Sequence, residues 1–160
     1  MTVTIEDFKP IYIQRIAQLT NKSNQFNLTT LRCTEDAIRR MQESKDYVCL
    51  CGRLEDKFAD NGLVTVVIGQ ISGEELSLML WLMSCRVLKR ELEDVMMNAV
   101  FIEAEKCGIT KVVGHYYPTA KNAMVKNFYE SMDLLTRRKM LLETQSGNYW
   151  LVITDQRNPI

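Results

Sequence analysis

Three basic side chains stand close together after a long apolar run of the sequence. Arg86, Lys89 and Arg90 lie within five residues, just before an amphipathic pattern typical of a helix. A turn that joins a strand to a helix is a ready anion site, because the first N–H groups of the helix are unpaired and its dipole is positive there. Basic side chains add charge-assisted hydrogen bonds to a phosphate. Residues 86–91 therefore predict a site for the phosphates of a nucleotide or of coenzyme A.

The only histidine of the chain is a second candidate for chemistry. His115 lies in a predicted strand over residues 111–117. Imidazole titrates near neutral pH, so this side chain could remove a proton from an amine in a transfer reaction. A histidine in a strand is more often a structural group whose nitrogens are satisfied by neighbours. Glu74 and Glu75 are acidic alternatives for the base, although they fall in a predicted solvated turn.

Length and charge exclude several classes of protein. The chain has 160 residues, which suits one domain over residues 1–160, and it has no apolar run of about 18 residues that could span a membrane. Its 20 Lys and Arg residues balance 20 Asp and Glu residues, so no overall positive field attracts nucleic acid. The first residues are acidic and resemble no secretory signal. We therefore expect a cytoplasmic protein that has neither nucleic acid nor a membrane as its partner.

The five cysteines are scattered and mostly lie among apolar residues. A zinc site usually needs four ligands in spaced pairs, and a single histidine supplies no second cluster. We expect buried free thiols and no bound metal at Cys33, Cys49, Cys51, Cys85 and Cys107.

Two helices are predicted before the first strand. Apolar residues recur at helical spacing within the first twenty residues, with Pro10 tolerable near the helix start. A polar loop over residues 20–30 follows, and Thr34 then has the side chain of a helix N-cap. The first helix is defined by Phe8, Ile11, Tyr12, Ile16 and Leu19, and the second by Ala37, Ile38 and Met41.

The rest of the chain predicts a sheet with a crossover. Strands are expected at 47–54, 63–70, 75–84, 111–117, 135–142 and 148–154, with hairpin signals at Asn61-Gly62 and Ser72-Gly73. One helix carries Leu92, Val95, Met96, Ala99 and Ile102 and ends near Cys107-Gly108, and another carries Met124, Val125, Phe128, Tyr129 and Met132. The order α-α-β-β-β-α-β-α-β-β predicts an α/β (α+β) fold with a mixed, mostly antiparallel sheet and helices on both faces.

This order of elements resembles the GNAT acyltransferase fold, in which two helices precede a meander and a split sheet opens around coenzyme A. Two sites make the resemblance specific. GNAT proteins carry the pattern Arg/Gln-x-x-Gly-x-Gly/Ala after the fourth strand, and residues 86–91 read RVLKRE. They also carry Asn-x-x-Ala-x-x-Leu/Phe-Tyr-x-x-x-Gly-Phe, and residues 122–134 read NAMVKNFYESMDL.

A narrower resemblance covers nearly the whole chain. Residues 15–30, 60–64, 84–88, 117–119 and 121–122 are similar to segments of the C-terminal GNAT-like half of FkbH-like proteins. Those proteins usually carry an N-terminal HAD-type half that loads a glyceryl unit onto an acyl carrier protein. The Asp-x-Asp signature of that half has no counterpart near the N terminus here, so the resemblance does not extend to the loading of glycerate.

The resemblance implies a role for each candidate residue. The donor would be acetyl-CoA, another acyl-CoA, or acyl-phosphopantetheine on a carrier protein. Tyr129 would protonate the departing thiolate, a task that suits a phenol of pKa about 10, with packing beside Phe128 as its structural alternative. Asn122 would lie near the pantetheine arm or cap a helix. The implied catalytic residues are Tyr129 and His115, the cofactor-binding residues Arg86, Val87, Leu88, Lys89, Arg90, Glu91 and Asn122, and the substrate-binding residues Asn24, Gln25, Asn27 and Ser84.

The turn departs from the family pattern at both glycine positions. Lys89 and Glu91 stand where glycine lets backbone N–H groups approach a pyrophosphate without a Cβ in the way. Glu91 also places a carboxylate at the helix start, where an acid is favourable to the helix but competes with a phosphate. The donor site is therefore either intact through its basic side chains or repurposed.

Two hypotheses follow for the function. In the first, the chain is a GNAT acyltransferase of the FkbH-like type that transfers an acyl group directly from a thioester to an acceptor. In the second, it is a non-catalytic GNAT-like module that docks an acyl carrier protein or a HAD-type partner protein. The binding of acetyl-CoA discriminates between them.

Overall fold

The computed structural model describes residues 2–55, 60–84, 92–126, 128, 139–145 and 148–154. Within these ranges the chain forms strands, three α-helices and two short 3₁₀ helices. In chain order they are β1 (Thr2–Asp7), a 3₁₀ helix (Pro10–Tyr12), α1 (Ile13–Lys22), α2 (Glu35–Glu43), β2 (Tyr47–Glu55), β3 (Asp60–Ser72), β4 (Glu75–Met83), α3 (Leu92–Lys106), β5 (Lys111–Tyr116), a 3₁₀ helix (Ala123–Val125), β6 (Lys139–Gln145) and β7 (Asn148–Thr154).

These strands form one sheet in the order β1-β2-β3-β4-β5-β7-β6. Neighbouring strands are antiparallel except β4 and β5, which run parallel. A parallel pair needs a long crossover connection, and α3 lies in that connection. The predicted meander followed by one β-α-β crossover is therefore confirmed.

The N-terminal segment differs from the prediction, which missed a strand. Residues 2–7 form β1 at the edge of the sheet, and α1 begins only after a 3₁₀ helix that starts at Pro10. Val3 and Ile5 pack against the core, whereas Ile11, assigned to the apolar face of a helix, is 80% exposed. The alternation of Val3 and Ile5 is too short to outweigh the helical spacing that follows it, so the pattern alone assigned both elements to one helix.

Helices cover both faces of the sheet, as the fold prediction requires. On one face α1 and α2 pack against β2, β3 and the last part of β4, and on the other α3 packs against β2, β3, β4 and β5. Thr34 accepts a hydrogen bond from the backbone N–H of Ala37 at 3.1 Å, which confirms its role as the N-cap of α2. No helix among the described residues combines the length and apolar character needed to cross a bilayer.

The buried face of α3 is rotated relative to the prediction. Leu92 and Met96 are buried as expected, but Val95 and Ile102 are exposed. The remaining buried positions are Met97, Val100, Phe101 and Ala104. Apolar residues occur on almost every side of this helix, so their spacing does not define the face that meets the sheet.

The predicted pairing of β2 and β3 as an antiparallel hairpin is confirmed, but Asn61-Gly62 lies inside β3, which already begins at Asp60. Gly62 has a φ of 65°, and the register between β2 and β3 shifts beside it. An extra residue with positive φ in one strand forms a bulge. Glycine therefore serves here for the same conformational reason as in a hairpin turn, but inside a strand. The second hairpin signal is confirmed, since Gly73 has a φ of 61° in the β3–β4 turn.

The C-terminal part is described incompletely. Val125 and Phe128 are buried, as predicted for the second amphipathic helix, but Met124 is 55% exposed. Tyr129 and Met132 lie outside the described residues. The closing antiparallel strands are confirmed as β6 and β7, with β6 ending beyond the predicted Leu142.

Candidate functional site

Strands β4 and β5 diverge at the centre of the sheet. Their parallel pairing ends at Leu78 opposite Gly114. The next residue of β4, Met79, is the extra residue of a bulge against β3. A bulge bends a strand and increases its twist, so β4 turns away from β5 at this point. The strands thus form a split toward their C-terminal ends, and bulges of this kind commonly lie beside active sites.

Residues 26–29, here called the bridging segment, come from the loop between α1 and α2 and lie along the β4 edge of this split. The backbone N–H of Leu28 donates to the carbonyl of Trp81 at 3.1 Å, and the N–H of Met83 donates to the carbonyl of Phe26 at 3.0 Å. The segment therefore runs beside β4 like a short added strand, on the edge that β5 has left.

The same segment also contacts the base of the split and the end of β5. The Thr29 hydroxyl donates to the carbonyl of Met79 at 2.7 Å, and the N–H of Tyr117 donates to the carbonyl of Leu28 at 2.8 Å. Both edges of the split are thus hydrogen-bonded to the loop in which the acceptor pocket was predicted.

Asn122 holds the bridging segment against the end of β5 through hydrogen bonds of its side chain. Its Nδ2 donates to the carbonyls of Asn27 and Tyr117, each at 3.0 Å, and its Oδ1 accepts from the N–H of Thr119 at 2.8 Å. The residue is completely buried, and its side chain does not cap the 3₁₀ helix that follows. The structure gives Asn122 a joining role, while its predicted contact with a cofactor stays a prediction.

The predicted substrate-binding residues of the loop differ in their surroundings. Gln25 is exposed and Asn24 is half-buried. Asn27 is completely buried: its Nδ2 donates to the carbonyl of Ser23 at 3.2 Å and its Oδ1 accepts from the N–H of Thr30 at 2.9 Å. Asn27 therefore shapes the loop from within, and only Asn24 and Gln25 present surface to a ligand.

An arginine that the sequence did not single out holds the loop to the end of α1. The Arg32 guanidinium donates to the carbonyl of Ser23 at 2.8 Å, and also to the carbonyl of Thr20 and to Asn24 Oδ1. Thr30, just after the bridging segment, has a φ of 55°, a conformation that a β-branched residue rarely adopts. Strain of this kind is often retained at functional sites.

Aromatic rings close the split on the face covered by α3. The ring of Phe128 meets those of Phe26 and Trp81 edge to face, with centroid distances of 5.1 and 4.8 Å. Edge-to-face pairs are favourable beyond the area they bury. Phe128 thus anchors the chain just before Tyr129 to the bridging segment and to β4.

His115 lies at the base of the split and forms a short contact across the strands. Its Nε2 is 2.6 Å from the hydroxyl oxygen of Ser77 on β4. Burial lowers the pKa of His115 below its ordinary value of 6.5, and the nearby Glu75 carboxylate opposes this shift only partly. The imidazole is therefore neutral at pH 7, the form that can accept a proton.

The other predicted site residues are less well defined. Ser84 directly follows β4, is half-buried, and donates its N–H to the carbonyl of Val64 at 2.7 Å. The cation-bearing turn, residues 86–91, lies outside the described residues, as does Tyr129. In the sequence this segment links β4 to α3, whose first turn carries Glu93 and Asp94.

The cysteines within the described residues are free thiols: Cys33, Cys49 and Cys51 are buried as predicted, but Cys107 is exposed just after α3, so the prediction is wrong for that residue. Burial raises the pKa of Cys49 and of Cys51 to about 12, and it also raises the pKa of Cys33. Thiols of this kind are unreactive because the thiolate form is suppressed. In the part of the chain that the structure describes, no group of His, Cys, Asp and Glu side chains could hold a metal ion.

Solved structures share this architecture over nearly the whole chain. The PaiA N-acetyltransferase of Thermoplasma acidophilum, in complex with coenzyme A, has a TM-score of 0.71 at 13% identity, covering 96% of this chain and 99% of that one. The diaminobutyrate acetyltransferase EctA of Paenibacillus lautus, in complex with L-2,4-diaminobutyric acid and coenzyme A, has a TM-score of 0.73 at 10% identity, covering 99% and 98%. The GNAT domain of PAT from S. lividans has a TM-score of 0.72 at 11% identity, covering 96% and 91%.

The chain therefore has the GNAT fold, and the fold expectation is confirmed. No protein-family model matches the sequence, and no curated protein matches it significantly. At these identities the likeness defines the fold, so the activity has to be argued from the residues of the split.

Proposed function

We propose that this protein is an acyltransferase that moves an acyl group from a coenzyme A thioester to a primary amine by direct transfer. The observation that carries the proposal is the split at Met79, where β4 and β5 diverge with His115 at their base and the predicted acceptor loop along the opening. Two structures of the same fold contain coenzyme A, two are named N-acetyltransferases, and one holds the diamine substrate L-2,4-diaminobutyric acid, which supports an acyl donor of this type and an amine acceptor.

The donor would be held by the segment between β4 and α3. Arg86, Lys89 and Arg90 would bind its pyrophosphate through side-chain hydrogen bonds, and backbone N–H groups around Val87 would polarise the thioester carbonyl. The acidic first turn of α3 opposes an anion at that helix end. The three cations must therefore outweigh it without the backbone approach that glycines would allow.

A carrier-bound donor is the more specific version of this proposal. Acyl-phosphopantetheine on a carrier protein presents the same arm as acyl-CoA but lacks the adenosine 3′-phosphate and the distal phosphate. It makes fewer demands on a turn that carries Lys89 and Glu91. The FkbH-like resemblance supports this version, and a HAD-type protein would then be the partner that supplies the loaded carrier.

The chemistry requires one base and one acid. The acceptor amine attacks the thioester carbon and loses a proton toward His115, while the C–S bond breaks and the leaving thiolate takes a proton from Tyr129. Asn24 and Gln25 would bind polar groups of the acceptor, since their amides both donate and accept hydrogen bonds. Phe128 would keep Tyr129 beside the split.

The competing function is a non-catalytic module that docks an acyl carrier protein or a HAD-type partner. The departures at Lys89 and Glu91 favour it, because a docking module keeps the fold without needing a pyrophosphate site. It differs from the enzyme in one measurable respect, the affinity of the isolated chain for coenzyme A.

Isothermal titration tests the proposal with acetyl-CoA and with phosphopantetheine alone. We expect acetyl-CoA to bind the wild-type chain and to bind an Arg86→Ala, Lys89→Ala, Arg90→Ala variant about tenfold more weakly or worse, because charge-assisted phosphate contacts are lost. The matched control removes three exposed cations of α2 and the residues after it, Arg39→Ala, Arg40→Ala and Lys45→Ala, and should leave the affinity unchanged.

The outcomes separate the versions of the proposal. Heat with phosphopantetheine but not with acetyl-CoA would favour the carrier-bound donor. No heat with either ligand at high micromolar concentration would overturn the enzyme proposal in favour of the docking module.

A further inference from the structure

Ser77 and His115 form a hydrogen-bonded pair that no sequence motif indicated. Ser77 lies in the part of β4 that pairs with β5. His115 lies one residue beyond Gly114, the last residue of β5 that pairs with β4. Their side chains meet at 2.6 Å, between Ser77 Oγ and His115 Nε2, and both residues are half-buried. A separation of this length lies within hydrogen-bonding distance.

The two nitrogens of the imidazole are not equally open to an acceptor. Nε2 is already in contact with Ser77, and Nδ1 is buried from solvent. An acceptor in the split would therefore reach the ring through Ser77, a residue that is half-buried. This arrangement changes what His115 can do as a base.

We propose that Ser77 relays the proton of the acceptor amine to His115, so that Ser77 is a catalytic residue of this site. The inference rests on the proposed acyl transfer and deepens it. As the amine nitrogen forms its bond to the thioester carbon, its proton passes to Ser77 Oγ and the Ser77 proton passes to His115 Nε2. The hydroxyl is regenerated, the imidazole becomes an imidazolium, and the electron pair of the broken C–S bond leaves on the thiolate.

The position of the pair fits this role. Ser77 precedes the bulge residue Met79 by two positions, so it stands on the same strand just before the split opens. The Thr29 hydroxyl of the bridging segment bonds to the carbonyl of Met79. The ring centroids of Tyr117 and His115 are 5.9 Å apart. Tyr117 follows β5, on the side of the pair where the split opens.

Burial keeps the imidazole neutral, while the nearest charge favours its protonation. Glu75 of β4 lies close enough to favour the imidazolium, and Lys111 of β5 lies 3.9 Å from Glu75 and offsets part of that attraction. On the other side of β5, Trp150 of β7 stands opposite His115 in register, with Glu143 of β6 opposite Trp150. The effect of burial on the pKa of His115 exceeds the opposite effect of Glu75, so the pKa is lowered. The imidazole is therefore in its proton-accepting form at neutral pH.

The relay requires one tautomer, and the single histidine makes that tautomer measurable. Ser77 can pass its proton only if Nε2 is the acceptor and the ring proton lies on Nδ1. We expect nitrogen-15 NMR of the imidazole at pH 7.5 to show the Nδ1–H tautomer in the wild-type chain. We also expect Ser77→Ala to lower the pKa of His115, because the imidazolium loses a charge-assisted hydrogen bond from Nε2–H to the Ser77 oxygen, and Ser77→Thr to restore the wild-type value. Finding the proton on Nε2, or an unchanged pKa in Ser77→Ala, would overturn the relay.

Kinetics supply a second readout that a purely structural serine would not affect. With acetyl-CoA and the primary amine that turns over fastest, Ser77→Ala should lower kcat about 100-fold with little change in the KM for acetyl-CoA. Ser77→Thr should recover most of kcat, and Ser72→Ala, which removes an exposed serine at the end of β3, should match the wild type. Full turnover by Ser77→Ala would contradict the relay. Because the NMR arm needs no donor, its result stands apart from the titration that tests acyl-CoA binding.

Discussion

Asn122 joins two segments that are distant in sequence, and it does so with a single amide group. Its two N–H donors are used by the carbonyls of Asn27 and Tyr117, and its oxygen accepts from Thr119. The bond to Asn27 spans 95 positions of the chain. A motif can mark such an asparagine, but it cannot show whether the side chain serves a ligand or the protein itself.

Removing this side chain should destabilise the fold. In Asn122→Ala the buried carbonyl of Asn27 and the N–H of Thr119 lose their partners, which costs about 1–3 kcal/mol when a buried polar group is left unsatisfied. We expect that loss in the free energy of unfolding measured by urea denaturation. Asn98→Ala is the matched control, because Asn98 is exposed on α3 and alanine is the better helix former. Equal stability of Asn122→Ala and the wild type would show that the amide does not join these segments.

At the scale of elements, local signals predicted most of the secondary structure. Caps and turns depend on a few adjacent residues, so the Thr34 cap, the β3–β4 turn and the end of α3 just before Gly108 were predictable. Strand β1 and the buried face of α3 were not predictable. Both depend on tertiary contacts with the sheet, which a local pattern does not contain. The bulge at Met79 could not be predicted either, because the residues of β4 next to Met79 in the sequence are apolar and give no local signal for a bulge.

The corrected face of α3 can be tested with two neighbouring residues. Met96 is completely buried against the sheet and Val95 is exposed, although the sequence placed both on the apolar face. We expect Met96→Ala to lower the free energy of unfolding by about 2–5 kcal/mol through lost burial and a cavity. Val95→Ala should change it by less than about 0.5 kcal/mol. Chemical denaturation of both variants measures the difference, and similar losses would mean that the helix is rotated toward the predicted face.

At the scale of the whole molecule, the candidate site depends on contacts that no local pattern contains. The split, the bridging segment and the Ser77–His115 pair each bring together residues from the two sides of the β4–β5 junction. The resemblance could therefore indicate the fold and the loop that borders the split. It could not indicate Ser77, Arg32 or the buried side of Asn27, because their roles arise from tertiary hydrogen bonds.

The bridging segment should make the sheet behave as one cooperative unit. Strands β1–β4 and β5–β7 meet through the short β4–β5 pairing and through the bridging segment. The N–H groups of Leu28 and Met83 bond this segment to β4, and that of Tyr117 bonds it to the end of β5. Backbone amides whose hydrogen bonds break only on global unfolding exchange slowest. The amides of Leu28, Met83 and Tyr117 should therefore exchange with solvent as slowly as those at the centre of β3. Hydrogen exchange followed by NMR measures them against Gly73, which lies in the exposed β3–β4 turn. In Asn122→Ala the Leu28 and Tyr117 amides should exchange faster relative to β3, because the segment loses its second attachment. Rapid exchange of these amides in the wild type would instead mean that the loop closes the split only transiently, and that the two sides of the sheet unfold separately.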